Sequence, residues 1–197
     1  MRRAVAPDYK DGKVNRVLLK KETGQESAWG WSTGNSAIAV EGTNIFIANK
    51  GKRLLRFSWT PGDLDSAKFV EKFEMPEPAV GLSARDGKLA VAYPDRVELR
   101  KAADFSVIAN FPVADLKEVV IAPDGSVWMI AGTGLKYFTA EGKGIESSVE
   151  GVGKPTALAF DNEGRLMVCD DGPDQQIKFF DVSGASAKLV SAFGEKG

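Results

Sequence analysis

The sequence predicts an all-β fold, and within that class a β-propeller, on three observations. An acidic-Gly turn recurs four times, at Glu41-Gly42, Asp86-Gly87, Asp124-Gly125 and Glu163-Gly164. Each turn leads into a short apolar strand: IFIA, LAVA, VWMIA and LMVCD. The turn glycines stand 45, 38 and 39 residues apart (42 to 87, 87 to 125, 125 to 164), close to the period of a four-stranded blade. Helical periodicity nowhere lasts three turns, and glycine interrupts too often for a helix.

Taken in order, residues 1–35 supply only a partial blade. They hold RVLLKK (Arg16–Lys21), a turn at Glu22-Thr23-Gly24, and ESAWGW (Glu26–Trp31), the third and fourth strands of a unit without its first two. Trp29 and Trp31, two residues apart, fall on one face of that strand. Four blades follow, over about 36–75, 76–113, 114–152 and 153–197, all within one domain. Their first strands are AIAV (Ala37–Val40), VGLSA (Val80–Ala84), EVVIA (Glu118–Ala122) and TALAF (Thr156–Phe160). Small residues suit these strands to the innermost position, where blades converge. Third strands read LLRF (Leu54–Phe57), VELR (Val97–Arg100), LKYF (Leu135–Phe138) and IKFFDV (Ile177–Val182). Fourth strands read KFVEKF (Lys68–Phe73), SVIANF (Ser106–Phe111), IESSVE (Ile145–Glu150) and KLVSAF (Lys188–Phe193).

About four and a half blades leave a terminal sheet face and its edges uncovered, which is costly and adhesive. The cut through a blade at the N-terminus and the stop straight after FGEKG point to a fragment of a larger propeller. The alternatives are a small five-unit ring completed by the half blade, and two chains closing together by self-association through their open ends.

Composition narrows the chemistry. With 26 basic against 27 acidic residues, no global field draws in nucleic acid or anionic lipid. No apolar stretch approaches the roughly 18–20 residues of a membrane-spanning helix. The opening MRRAVAPDYKDGK has two arginines but no apolar core of a signal peptide. Histidine is absent, which removes His-based general bases, Ser-His-Asp and Cys-His arrangements, and His metal sites. Any reaction must rest on carboxylates, lysine, tyrosine or backbone groups. Cys169, the single cysteine, excludes an internal disulfide and reads as a small buried strand residue.

Several segments carry a chemical reading beside a simpler one. GVGKPT (Gly151–Thr156) lacks the first glycine and the following helix of a phosphate loop, so it reads as an inter-blade connection. The loop Asp170-Asp171-Gly172-Pro173-Asp174 gathers three carboxylates in five residues. Asp170, Asp171 and Asp174 are therefore candidate ligands for Ca²⁺ or another divalent cation. On the simpler reading, Asp170 accepts backbone hydrogen bonds and its neighbours are solvated. Lys50, Lys52, Arg53 and Arg56 form a basic cluster that reads as wet surface, and Trp128 reads as core between blades. Asn49, Tyr93, Gly132 and Asp170 end or follow second strands, near one rim of a propeller channel. Asn49, Tyr93 and Asp170 are the candidate ligand-binding residues there.

The last unit closely resembles an NHL repeat. Its Pro155, Glu163-Gly164 turn, Val168-Cys169-Asp170 strand end and Phe193-Gly194 close match that pattern, while Asp174-Gln175-Gln176 replaces the usual Asn and Arg. The first full unit keeps an arginine at that place, Arg53. The N-terminal hairpin resembles a quinoprotein-type repeat through Thr23, Gly24 and Trp29, with a longer spacing than usual. The NHL resemblance implies a non-catalytic binding or scaffold module that engages a protein or glycan. A similar six-bladed fold implies an alternative, a metal-dependent lactonase-type hydrolase with Asn49, Asp170 and Asp174 as candidate ligands. Units two and three offer Tyr93 and Gly132 where that enzyme would need carboxylates. A degenerate quinoprotein-like propeller is a third implication. RNA binding, found in some NHL propellers, needs a basic face, and the balanced charge argues against it. Bacterial relatives of the repeat are often exported, so the resemblance implies a periplasmic or exported protein.

Overall fold

The computed structural model of the chain describes residues 35–49, 52–140, 143–145, 149–183 and 187–196. Of the partial blade expected over 1–35, residues 1–34, with the Thr23-Gly24 turn, Trp29 and Trp31, lie outside the described residues, as does Lys50. Among the described residues every regular element is a strand. The strands form four antiparallel sheets of four, each in simple sequential order. The first sheet is β1 (Asn35–Glu41), β2 (Asn44–Asn49), β3 (Arg53–Thr60) and β4 (Asp63–Glu74). The second is β5 (Gly81–Arg85), β6 (Lys88–Tyr93), β7 (Arg96–Lys101) and β8 (Val107–Pro112). The third is β9 (Leu116–Ile121), β10 (Val127–Ala131), β11 (Gly134–Phe138) and β12 (Gly144–Ile145). The fourth is β13 (Pro155–Phe160), β14 (Leu166–Asp170), β15 (Gln176–Asp181) and β16 (Lys188–Phe193).

The hairpin joining the first two strands of each sheet explains the repeat. Gly42, Gly87, Gly125 and Gly164 all adopt positive φ, at 53°, 71°, 84° and 78°. That region penalises any side chain with a Cβ, so glycine recurs at the turn. In the last two sheets an aspartate closes the same turn. Asp124 Oδ1 accepts from the Ser126 amide at 2.9 Å, and Asp161 Oδ1 accepts from the Glu163 and Arg165 amides at 2.9 Å each. The outer strand β12 is shorter than the expected IESSVE strand. It pairs only Gly144 and Ile145 with Phe138 and Tyr137, and residues 146–148 lie outside the described set. A segment with one Ile and one Val has little apolar surface to anchor an outer strand.

The chain divides into two compact units, Met1–Ala79 and Val80–Gly197. In the first unit, Phe46, Ala48 and Leu54 are fully buried on one face of the sheet. The opposite face carries Ile38, Val40, Ile45, Ile47, Leu55 and Phe57, with Ile38 and Val40 exposed and Phe57 edge-on to Phe69 at 5.7 Å. Cross-strand ion pairs neutralise much of the basic cluster: Arg56 with Glu71 at 2.5 Å, and Arg53 with Glu74 at 3.4 Å.

In the second unit the third sheet is covered on both sides. Val127, Met129 and Ala131 of β10 pack on Ala90, Ala92, Val97, Leu99 and Phe111 of the second sheet. Trp128 and Ile130, pointing the other way, pack with Leu166, Val168 and Phe180 of the fourth. All five residues of β10 are therefore buried. At about 1.5–3 kcal/mol for each large side chain, these two layers dominate the stability of the unit. Trp128 stacks on Tyr137 at 4.5 Å, in the role the sequence assigns it. The first strands lie side by side, with β9 between β5 and β13, and the Ile121 amide donates to Ser83 Oγ at 2.9 Å. Gly81 permits that approach, because a Cβ there would stand 2.8 Å from Glu118 Oε1 and 3.3 Å from its Cα.

Candidate functional site

The acidic loop of the fourth sheet is organised around Lys178. Alternation along β15 places this lysine on the same face as Phe180, and it is buried. Its Nζ donates to Asp170 Oδ2 at 2.7 Å, Asp174 Oδ2 at 2.9 Å and the Gly151 carbonyl at 2.5 Å. Asp170, at the end of β14, accepts three backbone amides as well: Gly153 at 3.0 Å, Lys154 at 2.7 Å and Gly172 at 3.0 Å. Burial alone would push the Asp170 carboxyl up. The Lys178 ammonium and the three amides outweigh burial and hold it far below the usual carboxylate range. Lys178 likewise overcomes burial, and its two carboxylates hold it above the ordinary lysine value.

This arrangement engages the three carboxylates of the acidic loop with lysines. Asp170 and Asp174 converge on an ammonium group, so the counter-charge a metal would supply is already covalently present. Asp174 also meets Lys196 at 3.3 Å, and Asp171 points outward to Lys154 at 2.6 Å. Among the described residues, no group of three His, Cys, Asp or Glu side chains is placed to hold a metal ion.

The strand-end residues Asn49 and Tyr93 are also interior. Asn49 is buried, and its Oδ1 accepts from the Arg53 amide at 3.1 Å, which closes the β2–β3 turn. Tyr93 is fully buried, with the Arg96 guanidinium 4.2 Å from its ring centre. Its hydroxyl faces the Arg100 guanidinium. Burial first and the Glu98 charge second raise it to about 12, against the opposing pull of Arg100 and Arg96. Glu98 itself is a buried carboxylate held between Arg96 at 3.1 Å and Arg100 at 3.0 Å. Gly132 takes a positive φ of 61°, and its amide donates to the Asp115 carbonyl at 2.9 Å.

What sequence reasoning did not pick out is a surface. On the fourth sheet, Met167, Cys169, Ile177, Phe179 and Phe193 share the face opposite Leu166, Val168 and Phe180. Phe193 is 71% exposed at the outer edge of this face. Cys169, expected to be buried, is only partly so because it lies on this uncovered face. The signal was present in the alternation of LMVCD and IKFFDV, each of which is apolar on both sides.

No protein-family model matches the sequence, and none of the curated proteins matches it. Solved structures do superpose, and they establish the class of fold. A functionally unknown protein from Desulfotomaculum acetoxidans aligns with a TM-score of 0.64 at 15% identity, over 82% of this chain and 56% of the other. Hydrazine synthase from Kuenenia stuttgartiensis aligns at 0.61 and 15% identity, over 80% and 49%. The WD40 repeats of RRP9 align at 0.60 and 12% identity, over 79% and 50%. The four sheets are thus blades of a partial β-propeller, and the chain spans about half the length of the solved structures it matches.

Proposed function

We propose that this chain is a non-catalytic binding or scaffold module that engages a protein through the open face of its fourth blade. The observation that carries this reading is that apolar face, with Phe193 71% exposed at its outer edge. The strand-end polar groups support it too, because Asn49 and Asp170 already hold backbone amides and Lys178. The NHL-like form of the last repeat agrees with a binding role. An aliphatic and aromatic surface without convergent polar groups favours a polypeptide over a glycan.

The test replaces Phe193 with a photo-reactive benzoyl-phenylalanine in the full chain, inside cells that carry it. A discrete polypeptide adduct is expected. Divalent-cation-dependent hydrolysis of lactones by the purified protein, abolished by chelation, would overturn the reading, as would the absence of any polypeptide adduct.

A further inference from the structure

We infer that the hairpin rim of the second blade binds a tetrahedral oxyanion of the phosphate class through Arg85, Lys88 and Lys101. The register of the sheet makes the argument. Arg85, at the end of β5, stands directly across from Lys88, and Lys88 directly across from Lys101 at the end of β7. Alternation puts all three on one face, two positions beyond the rung Ser83–Ala90–Leu99. Like charges directly opposite each other on a sheet repel and cost stability. Elsewhere the strand cations meet acids: Arg53 with Glu74, Arg56 with Glu71, Arg100 with Glu98 and Lys178 with Asp170. Among the described residues, no ion pair reaches Arg85, Lys88 or Lys101. The same rung of the first blade is Glu41–Asn44–Ser58, without a cation.

A second observation points the same way. Arg85 Nη1 is buried and, among the described residues, has no hydrogen-bond acceptor. A buried donor left without an acceptor is costly, and more so on a charged group. Arg85 and Lys88 are half-buried and Lys101 is exposed, so the rung is reached from its outer end. The third blade meets this end of the face with its own hairpin. A Cβ on Gly125 would stand 3.5 Å from Lys88 Nζ, and glycine leaves that ammonium uncrowded. The aspartates alongside are occupied. Asp124 Oδ1 accepts from the Ser126 amide at 2.9 Å and its hydroxyl at 2.6 Å. Asp104, which feels the Lys101 charge, accepts from the same two groups of Ser106 at 2.9 Å and 2.6 Å. Asp86 is exposed at the hairpin tip. A guanidinium fork beside two ammonium groups suits an acceptor with two negative charges spread over several oxygens. That describes a phosphate monoester or free phosphate rather than a carboxylate. The site lies on the second blade and is independent of the fourth-blade face.

Titration of the full 197-residue chain with inorganic phosphate tests this, followed by amide shifts in heteronuclear magnetic resonance, with ionic strength held constant by sodium chloride. Saturable shifts are expected at Arg85, Lys88 and Lys101. Arg85→Gln and Lys101→Gln should each weaken phosphate binding by about tenfold or more, since each removes a charge-assisted contact. Lys188→Gln, at an exposed lysine of the fourth blade, should leave it unchanged. Lys101 is exposed, so its variant keeps the test valid if Arg85→Gln does not fold, and circular dichroism checks both. O-phosphoserine in place of inorganic phosphate identifies the source. Equal binding supports a site open to esters, as on a phosphorylated polypeptide, and binding of inorganic phosphate alone supports a site for the free ion. Shifts at the three positions no larger than sodium chloride alone produces would overturn the inference. So would an affinity that is unchanged in the folded variants.

Discussion

Replacing Asp170 with Asn tests the reading that the acidic loop is a structural clamp. The carboxylate is buried and meets four donors: the Lys178 ammonium at 2.7 Å and the amides of Gly153, Lys154 and Gly172 at 2.7–3.0 Å. Asn keeps the shape but turns an NH₂ toward donors and strands the buried Lys178 with half its counter-charge. Breaking one partner of a buried pair costs about 3–5 kcal/mol. For a chain of this size that lowers Tm by roughly 6–20 °C. The Asp170→Asn, Lys178→Met double variant should regain part of the loss, since it no longer buries an unpaired ammonium. Thermal and urea unfolding followed by circular dichroism give the stabilities, and hydrogen exchange at Gly153, Lys154 and Gly172 gives the local effect. A variant within about 1 kcal/mol of wild type, with those amides still protected, would refute the clamp. The pH dependence follows from the direction of the shifts. Because Asp170 titrates below its unfolded value, its contribution is fully present above about pH 3.9 and is lost as pH falls through the folded value. Lys178 is held above its unfolded value, so its contribution is present below about pH 10.4 and is lost as pH rises further.

Three further outcomes follow from the geometry. Tyr93→Phe removes the buried hydroxyl that faces the Arg100 guanidinium and should cost about 1 kcal/mol; a gain of stability in urea would show that the hydroxyl is buried without a partner. Because the Tyr93 hydroxyl is raised to about 12, ultraviolet titration should show one of the three tyrosines resisting ionisation beyond pH 11, and stability should fall as pH climbs above about 10. Trp128→Ala should cost about 3–5 kcal/mol by opening a cavity between the third and fourth blades, measured by chemical unfolding. Gly164→Ala, at a φ of 78°, should cost about 1–2 kcal/mol although its Cβ would meet nothing closer than Pro123 at 3.8 Å, so strain alone sets the effect.

The blades were legible because two local demands repeat. Positive φ at each first hairpin calls for glycine, and a blade core calls for apolar residues in the second strand. The interior place of Trp128 followed from the same pattern, since a strand apolar on both sides must be covered twice. The clamp was less legible. Asp170 stood out as a carboxylate in a loop, but Lys178 in IKFFDV looks like the solvent-facing position of an alternating strand. Only the return of Gly151 and Asp174 over the sheet makes that position interior, and this contact is tertiary. Cys169 went astray for the converse reason. Sequence alternation assigns a face to each residue but does not say whether a neighbour lies against that face.

The account turns on whether the fourth-blade face is open in the isolated chain and covered in its complex. Cys169 reports on this directly, as the single cysteine and a member of that face. The measurement is the rate of thiol labelling by a disulfide reagent, in the isolated chain and in the complex captured through position 193. Rapid labelling of the isolated chain, slowed in the complex with its polypeptide partner, is the predicted result. A thiol that is inert in dilute wild-type protein and in Phe193→Asp alike would mean the face is already covered within one chain, and would contradict the account.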